Sequence, residues 1–269
     1  ATMVLPPQML YLQTIRRARQ IAAELAKELD ITGPFNVQFI AKNNLVKVIE
    51  CNLRASRSLP FVSKVLGVNF AAEAMRHMLG VGGNTTCNSL DLDHVGVKAP
   101  MFSFGRLHGA DPLPGVEMAS TGEVGCIAGN VHEALLLSLL STSFRVPSKG
   151  ILLSLGPTSE KFAFSDEAFV IRDDLKLPIF ATAGTADALL DLGIETTRVG
   201  KSPDAHDSAA SLIAAGEVDL VINIPRQYDR QGRPDGYWIR RAAIDQGVPL
   251  VTDLNLAKAI VESLRRTRG

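Results

Sequence analysis

The sequence predicts an α/β protein in two parts: an α+β part built on an antiparallel sheet with helices, followed by a doubly wound parallel sheet of five strands. Three observations lead to this prediction. The 269 residues are enough for about two domains. Two adjacent apolar segments flank a pair of asparagines, which is typical of a β-hairpin. Beyond residue 150, short apolar runs alternate with helix-length segments, which is typical of a parallel sheet with crossover helices.

The first part is predicted to begin with a helix and a hairpin. Apolar residues recur every three or four positions across residues 12–29, among arginines and glutamates. Residues 35–41 and 46–52 are rich in β-branched and aromatic side chains, and Asn43 and Asn44 between them tolerate a positive φ. We therefore predict an amphipathic helix followed by two antiparallel strands.

Three further segments complete the first part. Residues 68–79 are predicted to form a helix and residues 80–88 a loop. Residues 95–123 are dense in Gly and Pro with aromatic residues between them, which favours irregular backbone over regular elements.

The second part is predicted to be an open parallel sheet. Each apolar run is too short for a buried helix, and parallel neighbours require a crossover connection, so helices are expected on both faces. The predicted strands are residues 151–155, 179–182, 196–199, 220–224 and 250–252. Residues 147–150 are the predicted linker, which divides the chain into domains 1–148 and 149–269.

Charge and hydropathy exclude several classes of protein. The 28 basic residues equal the 28 acidic ones, so no net field draws the chain to nucleic acid or to an anionic membrane. The longest apolar stretch, residues 134–140, is far shorter than the ~20 residues of a membrane-spanning helix. The 3 cysteines lack the spacing of a zinc site and indicate a reducing compartment. We expect no nucleic acid and no membrane as partners, and a cytoplasmic location, with the mitochondrion as the alternative.

Polar side chains on the predicted hairpin indicate a metal site. Glu50 and Asn52 are two residues apart and project from one face of a strand, and a three-residue turn would place Gln38 opposite Glu50. A few oxygen ligands suit Mg²⁺ or Mn²⁺ held partly by nucleotide phosphates. Arg54 and Arg57 follow, and guanidinium groups bind phosphate oxygens. The alternative is that Glu50 pairs with one of these arginines in a structural network.

A second polar group follows the strands of the parallel sheet. Ligands bind an open parallel sheet at the carboxyl ends of its strands, where this sequence carries two hydroxyls, a glycine, two lysines and an amide. These residues are Lys161, Thr182, Gly184, Thr185, Lys201 and Asn223. They predict an anion site for a phosphate monoester or a nucleotide. The alternative is that both threonines cap a helix and that the lysines are solvated.

Several motifs of the first part resemble the end of the second ATP-grasp domain of the carbamoyl phosphate synthetase large chain. The motifs occupy residues 35–39, 48–58, 60–68, 102–104, 109–112 and 117–124. The resemblance implies that Gln38, Glu50 and Asn52 bind Mg²⁺ or Mn²⁺, with K⁺ as an additional ion, and that Gln38 and Glu50 also contact ATP. It also implies that Arg54 and Arg57 act on the transferring phosphate as carbamate is phosphorylated to carbamoyl phosphate.

The second part is similar to the methylglyoxal-synthase-like domain that ends these large chains and regulates them. Residues 219–223 and 239–242 carry this likeness. The resemblance implies that the six residues of the second polar group bind an effector such as UMP, UTP, IMP, phosphoribosyl pyrophosphate, ornithine or N-acetylglutamate. Lys201 favours a phosphorylated effector over N-acetylglutamate.

The resemblance also implies partners. These are the remainder of the synthetase chain, a glutamine amidotransferase subunit or domain, and further copies in an oligomer. The sequence begins without Met and carries no glycine-rich phosphate loop, so we expect a piece of a longer chain without synthetase activity of its own.

Two other functions are kept as alternatives. One is a stand-alone regulatory module without catalysis. The other is a methylglyoxal-forming lyase, suggested by His206-Asp207. The expected second histidine of such a lyase is missing from residues 227–233.

Overall fold

The computed structural model describes residues 2–82, 85–115, 118–201, 207–225 and 236–267. The chain forms two compact units. The first comprises Thr2–Lys98 with Ile127–Val131, and the second comprises Ala99–Cys126 with His132–Gly269. The expected domain boundary after residue 148 stays a prediction, because these units reflect packing and not the limits of conserved domains.

The first unit combines short strands with three helices. Its elements are β1 (Met3–Leu5), α1 (Leu12–Glu28), β2 (Asn36–Lys42), β3 (Leu45–Asn52), α2 (Leu59–Leu66), α3 (Phe70–Met78) and β4 (Val95–Met101). The predicted first helix and hairpin are confirmed, and the helix predicted over residues 68–79 is α3. The helix α1 contacts both strands of the hairpin, and the Thr14 hydroxyl donates to Asn44 Oδ1 at 2.8 Å.

The β2–β3 hairpin reaches its register through a tight turn and a bulge. Asn43 and Asn44 have φ values of 51° and 63°, which is a two-residue turn of the type that suits a twisted hairpin. Phe39 pairs with Val48 but Gln38 pairs with Glu50, so one extra residue, Ile49, is inserted in β3. The bulge supplies the offset that a three-residue turn would have given. The predicted opposition of Gln38 and Glu50 is therefore confirmed.

The strand β4 corrects one prediction. Residues 95–123 are predicted to be irregular, but they begin with β4, which pairs antiparallel with β1, and end within the strand β5 (Gly122–Ala128). Gly96 favours irregular backbone in the sequence, but in β4 it is required by packing. A Cβ there would lie 2.4 Å from a Val65 methyl group. Pro100 also argues against a strand, but it lies beyond the residues of β4 that pair with β1. Its missing N–H therefore removes no hydrogen bond between these two strands.

The second unit is the predicted doubly wound parallel sheet. After β5 its elements are α4 (Val131–Leu140), β6 (Ile151–Leu155), α5 (Thr158–Ala163), α6 (Ser165–Asp173), β7 (Ile179–Thr182), α7 (Ala183–Leu190), β8 (Thr197–Val199), α8 (Ala209–Ala215), β9 (Leu220–Ile224), α9 (Tyr237–Asp245), β10 (Leu250–Val251) and α10 (Leu254–Thr267). The strand order is β10-β9-β6-β7-β8, and all four pairings are parallel. All five predicted strands are present.

Two buried cores lie on opposite faces of this sheet. Side chains alternate along β6, so Ile151, Leu153 and Leu155 join one core and Leu152 joins the other. The first core also contains residues of α6, α7 and α10, and the second contains residues of α8 and α9. Chain order reverses between β6 and β9, and the carboxyl ends of these two strands are where an open parallel sheet binds ligands. Among the described residues, no helix is both long enough and apolar enough to cross a membrane.

The carboxylate of Asp219 fixes the start of β6 beside β9. It accepts hydrogen bonds from the backbone N–H groups of Ser148, Lys149 and Gly150, at 2.7, 3.0 and 3.2 Å. The Ser148 hydroxyl donates a fourth bond at 3.2 Å. Asp219 therefore holds the predicted linker against the start of the parallel sheet.

We expect the Asp219→Ala variant to lose about 2 kcal/mol of unfolding free energy, because backbone donors lose a charged acceptor. Urea denaturation followed by circular dichroism measures this loss. Asp191→Ala, an exposed aspartate after α7, is the matched control and should stay within about 0.5 kcal/mol of the wild type. Equal midpoints for the two variants would contradict the role assigned to Asp219.

Candidate functional site

The hairpin brings the three predicted metal ligands together. Gln38 and Glu50 are directly paired across the strands, and Asn52 Nδ2 donates to Glu50 Oε1 at 2.9 Å. Gln38 and Glu50 are exposed and Asn52 is half-buried. The Glu50 carboxylate forms its hydrogen bond with Asn52 and has no ion pair with an arginine of the described residues. The alternative network of Glu50 with Arg54 or Arg57 is therefore not formed.

This oxygen cluster has the chemistry of a weak site for a hard divalent cation. Because Asn52 donates through its nitrogen, its Oδ1 is left as an acceptor, beside one carboxylate and the carboxamide of Gln38. Such a set fits Mg²⁺ or Mn²⁺, whose remaining ligands would be water and phosphate oxygens. Within the described ranges no cluster of three His, Cys, Asp or Glu side chains could hold a metal. A single carboxylate therefore carries the charge of this candidate site.

The loop after β3 carries the two predicted phosphate-binding arginines. Arg54 is exposed, its Nη1 donates to the Ala55 carbonyl at 3.2 Å, and its backbone N–H donates to the Asn52 carbonyl at 2.9 Å. It lines a concavity of about 470 Å³ together with Leu53 and residues 29–34. Arg57 is also exposed. The turn from Asn52 to Arg54 therefore places a cationic side chain directly after the oxygen cluster.

A buried lysine that the sequence reading missed supports this loop. Lys98 lies in β4, has only 6% of its surface exposed, and donates from Nζ to Ser58 Oγ at 3.0 Å. Ser58 is the residue before α2, and its hydroxyl makes no capping bond to that helix. A lysine between Val97 and Ala99, in a strand of buried residues, was the available signal.

The parallel sheet brings Thr182, Thr185 and Asn223 together at its carboxyl edge. Ser154 and Asn223 are paired across β6 and β9. The Thr182 hydroxyl lies 3.4 Å from both Ser154 Oγ and Thr185 Oγ1, to one of which its single proton is donated, and Asn223 Nδ2 donates to the Ser154 carbonyl at 3.3 Å. All four side chains are at least 97% buried, with exposures of 3%, 1%, 2% and 1% for Ser154, Asn223, Thr182 and Thr185.

The two threonines do not cap α7 as the alternative supposed. Thr182 precedes the helix but makes no side-chain capping bond. The Thr185 hydroxyl instead bridges to β6, where it accepts from the Leu155 N–H at 3.0 Å and donates to the Leu155 carbonyl at 3.3 Å. These bonds fix the end of β6 against the first turn of α7.

The two predicted lysines stand differently with respect to this cluster. A Cβ on Gly184 would lie 3.1 Å from Lys161 Nζ, so the ammonium group lies close to the first turn of α7. Lys201 is exposed and follows β8, two strands from β6. At about 4.8 Å per strand, β8 lies ~10 Å from β6.

The helix α9 adds a residue whose role the sequence reading did not find. Arg240 is fully buried, and its Nη1 donates to Asn223 Oδ1 at 2.6 Å. Its Nε and Nη2 donate to the two carboxylate oxygens of Asp111 at 2.7 and 2.6 Å. Asp111 and Arg240 are 129 positions apart, so no local pattern could have paired them.

Comparison with known proteins places both clusters in a family. Residues 2–84 match the family described as "Carbamoyl-phosphate synthase L chain, ATP binding domain", and residues 172–252 match the one described as "MGS-like domain". The chain is 44% identical over 278 residues to multifunctional protein pyrABCN of Emericella nidulans, and 45% identical over 278 residues to multifunctional protein URA2 of Saccharomyces cerevisiae. Residues 2–84 are therefore similar to the ATP-binding domain of carbamoyl-phosphate synthase large chains. It is also 41% identical over 280 residues to carbamoyl-phosphate synthase (ammonia), mitochondrial, of Homo sapiens.

The carbamoyl-phosphate synthase resemblance extends along the whole chain. The alignments cover 99% of it for the first two relatives and 100% for the human protein. The chain spans 12% of the length of each of the first two relatives and 18% of the human one. The expected resemblance and fold, an ATP-grasp end followed by a methylglyoxal-synthase-like domain, are thus confirmed. The roles of the individual site residues stay predictions.

We expect Mn²⁺ to broaden the side-chain amide resonances of Gln38 and Asn52 in the NMR spectrum of this chain, because a paramagnetic ion bound by Glu50 lies beside both. Glu50→Gln should weaken Mn²⁺ binding about tenfold, since it removes the only carboxylate and a tenfold loss corresponds to about 1.4 kcal/mol. Glu28→Gln, on the exposed side of α1, is the control. Equal broadening at the same Mn²⁺ concentration in Glu50→Gln would exclude Glu50 as a metal ligand, and no broadening in the wild type would exclude the hairpin as the metal site.

Proposed function

We propose that this chain supplies C-terminal catalytic and regulatory parts of a carbamoyl phosphate synthetase, which phosphorylates carbamate with ATP to give carbamoyl phosphate. The observation that carries the proposal is the cross-strand pair of Gln38 and Glu50, with Asn52 hydrogen-bonded to Glu50 shortly before Arg54. This cluster lies inside the region that matches a carbamoyl-phosphate synthase ATP-binding domain. Phosphoryl transfer asks the protein mainly for positioning and for positive charge around the phosphate oxygens.

The residues of the hairpin fit the needs of that reaction. Gln38, Glu50 and Asn52 would hold Mg²⁺ or Mn²⁺, and Gln38 and Glu50 would also contact ATP; the bound ion neutralises charge on the phosphates. Arg54, held by its backbone bond to Asn52, would place a guanidinium on the transferring phosphate, and Arg57 would add a second.

The second unit is proposed to bind a small anionic effector at the carboxyl edge of its sheet. Lys161 supplies positive charge at the first turn of α7, and Gly184 leaves the room for it. Asn223 and Lys201 are proposed to contact the sugar or phosphate, while the buried hydroxyls of Thr182 and Thr185 shape the floor of the site. A phosphorylated compound such as UMP, UTP, IMP or phosphoribosyl pyrophosphate fits these donors better than N-acetylglutamate.

The proposed setting is a larger enzyme. The chain would act with the remainder of a synthetase chain and with a glutamine amidotransferase subunit or domain, in an oligomer, in the cytoplasm or alternatively in the mitochondrion. One relative is named as a mitochondrial carbamoyl-phosphate synthase and others as multifunctional proteins, which supports such a setting.

A stand-alone effector sensor is the second candidate. It is favoured by the second unit, whose five-stranded sheet has a buried core on each face. The lyase alternative was suggested by His206 and Asp207. The structure describes Asp207, whereas His206 and residues 226–235 lie outside the described residues.

We expect Arg54→Ala to lower carbamoyl phosphate formation at least 100-fold in a full-length synthetase that carries this sequence as its C-terminal region. The reason is that a charged donor to the transferring phosphate is worth a factor of about 10²–10³. Product is trapped and quantified, and thermal unfolding reports the fold. Arg16→Ala, an exposed arginine on α1, should retain full turnover. Unchanged turnover in Arg54→Ala would remove this residue from the mechanism.

The 269-residue chain alone should form no carbamoyl phosphate from ATP, bicarbonate and ammonia. It should still bind an effector, since the second unit holds the proposed site. Calorimetric titration with UMP, UTP, IMP, phosphoribosyl pyrophosphate and N-acetylglutamate measures this. Binding of a phosphorylated compound, abolished by Lys161→Met and kept in Lys176→Met, is the expected result. Methylglyoxal formation from dihydroxyacetone phosphate would favour the lyase instead.

A further inference from the structure

The side-chain amide of Asn223 is held in one orientation. Its Oδ1 accepts a short, charge-assisted bond of 2.6 Å from Arg240, and its Nδ2 donates to the Ser154 carbonyl at 3.3 Å. If the amide were flipped, its oxygen would face that carbonyl and its nitrogen would face a guanidinium. Both contacts would be repulsive, so Arg240 determines which end of the amide lies beside β6.

This orientation fixes the chemistry that Asn223 can offer to a ligand. An amide nitrogen carries two hydrogens, and one of them is used by Ser154. The second hydrogen makes Asn223 a donor at the carboxyl edge of the sheet. Its partner must therefore be an acceptor, such as an oxygen of a phosphate or of a sugar.

The position of Arg240 depends in turn on a distant segment of the chain. Its side chain is 0% exposed, and Asp111 binds it through both carboxylate oxygens. A buried guanidinium that loses its carboxylate costs several kcal/mol. The Asp111 carboxylate therefore helps to hold Arg240 in place.

Two neighbours on α9 anchor the same segment, residues 104–111. The Tyr237 hydroxyl donates to the Gly109 carbonyl at 2.8 Å. Arg241 Nη1 donates to the carbonyls of Phe104, Leu107 and Ala110 at 3.3, 3.1 and 3.1 Å. Arg241 makes no bond to Asn223; its carboxylate partner is Asp245. The two adjacent arginines thus bind one segment, but only Arg240 also reaches Asn223.

Gly236 keeps the start of α9 close to Asn223. It has a φ of +86°, and a Cβ there would lie 2.6 Å from Asn223 Nδ2 and 3.1 Å from Arg240 Nη1. A side chain at this position would displace the amide or the guanidinium. The pair is therefore enclosed by backbone as well as by hydrogen bonds.

We infer that Arg240 and Asp111 are positioning residues for the effector site, which hold Asn223 as a donor to a ligand oxygen and make that donor depend on residues 104–111. By linkage, a ligand that binds the oriented amide stabilises the Arg240–Asp111 pair and this segment. The inference rests on the proposed effector function of the second unit. It adds Arg240 and Asp111 to the residues of that site, and it explains how ligand binding would affect residues 104–111.

The test compares two buried arginines of α9, of which Arg240 contacts Asn223 and Arg241 does not. Arg240→Met removes the bonds to both Asn223 and Asp111. Arg240→Lys keeps a charge for Asp111 but has no fork to reach both partners. Arg241→Met is the matched control, because it lies on the same helix, binds the same segment and does not contact Asn223. All are made in the 269-residue chain.

The first measurement needs no ligand. The side-chain amide resonance of Asn223, assigned by its loss in Asn223→Asp, should shift in Arg240→Met and Arg240→Lys and stay in place in Arg241→Met. A merely structural role would instead make the shift follow the loss of stability, which Arg240→Lys should largely restore. An unmoved resonance in both Arg240 variants overturns the inference even if no effector binds the wild type.

The second measurement uses calorimetry with UMP, UTP, IMP and phosphoribosyl pyrophosphate. For whichever compound binds the wild type, both Arg240 variants should weaken binding about tenfold and Arg241→Met less than twofold. Hydrogen exchange of residues 104–111 should slow on addition of that compound in the wild type and not in Arg240→Lys. Equal affinity in Arg240→Lys and the wild type overturns the inference and leaves the proposed effector function intact. Failure of the wild type to bind any of these compounds overturns the proposed effector function itself.

Discussion

The parallel pairing of β6 with β9 is the constraint on which the second unit depends. These strands are distant in sequence, yet all five residues of each are paired, from Ile151 with Leu220 to Leu155 with Ile224. The pairing brings the Asp219 carboxylate to the backbone donors that precede β6, and it brings Asn223 to Ser154 at the other end. One ladder therefore closes the sheet at its amino edge and builds the candidate ligand site at its carboxyl edge.

The parallel sheet was predictable because its strands are buried on both faces. A strand covered by helices on each side is largely apolar, so β6 and β9 appear in the sequence as short apolar runs interrupted only by Ser154 and Asn223. The hairpin was predictable for a different reason, since paired asparagines favour a positive φ. Its bulge at Ile49 was not predictable, because a bulge depends on how the two strands fit together and leaves no composition signal of its own.

The wrong prediction for β4 and the missed role of Arg240 share a physical cause. In both cases tertiary packing, and not the local sequence, determines the role of the residue. Gly96 was taken as a sign of irregular backbone, but it lies in β4 because a larger residue would collide with Val65. Arg240 was noted only as part of a family motif, because a buried arginine reveals its role through its partners, and Asp111 is 129 residues away. Sequence patterns report short-range periodicity well and report long-range pairing of polar side chains poorly.

The two candidate sites differ in burial and in how far their polar groups are hydrogen-bonded to one another. The hairpin site is exposed, holds one carboxylate and two amides, and is bonded internally only through Asn52 and Glu50. Its hold on a cation must come largely from the negative charge that a nucleotide brings with it.

The sheet site is buried and its polar groups are already bonded to one another, so its geometry exists before any ligand arrives. A preorganised site loses little free energy in ordering its own side chains, and small distortions of Arg240 or Asp111 then change affinity directly. This sensitivity is what a regulatory site needs, since an effector influences distant residues only through differences in the free energy with which it binds each state.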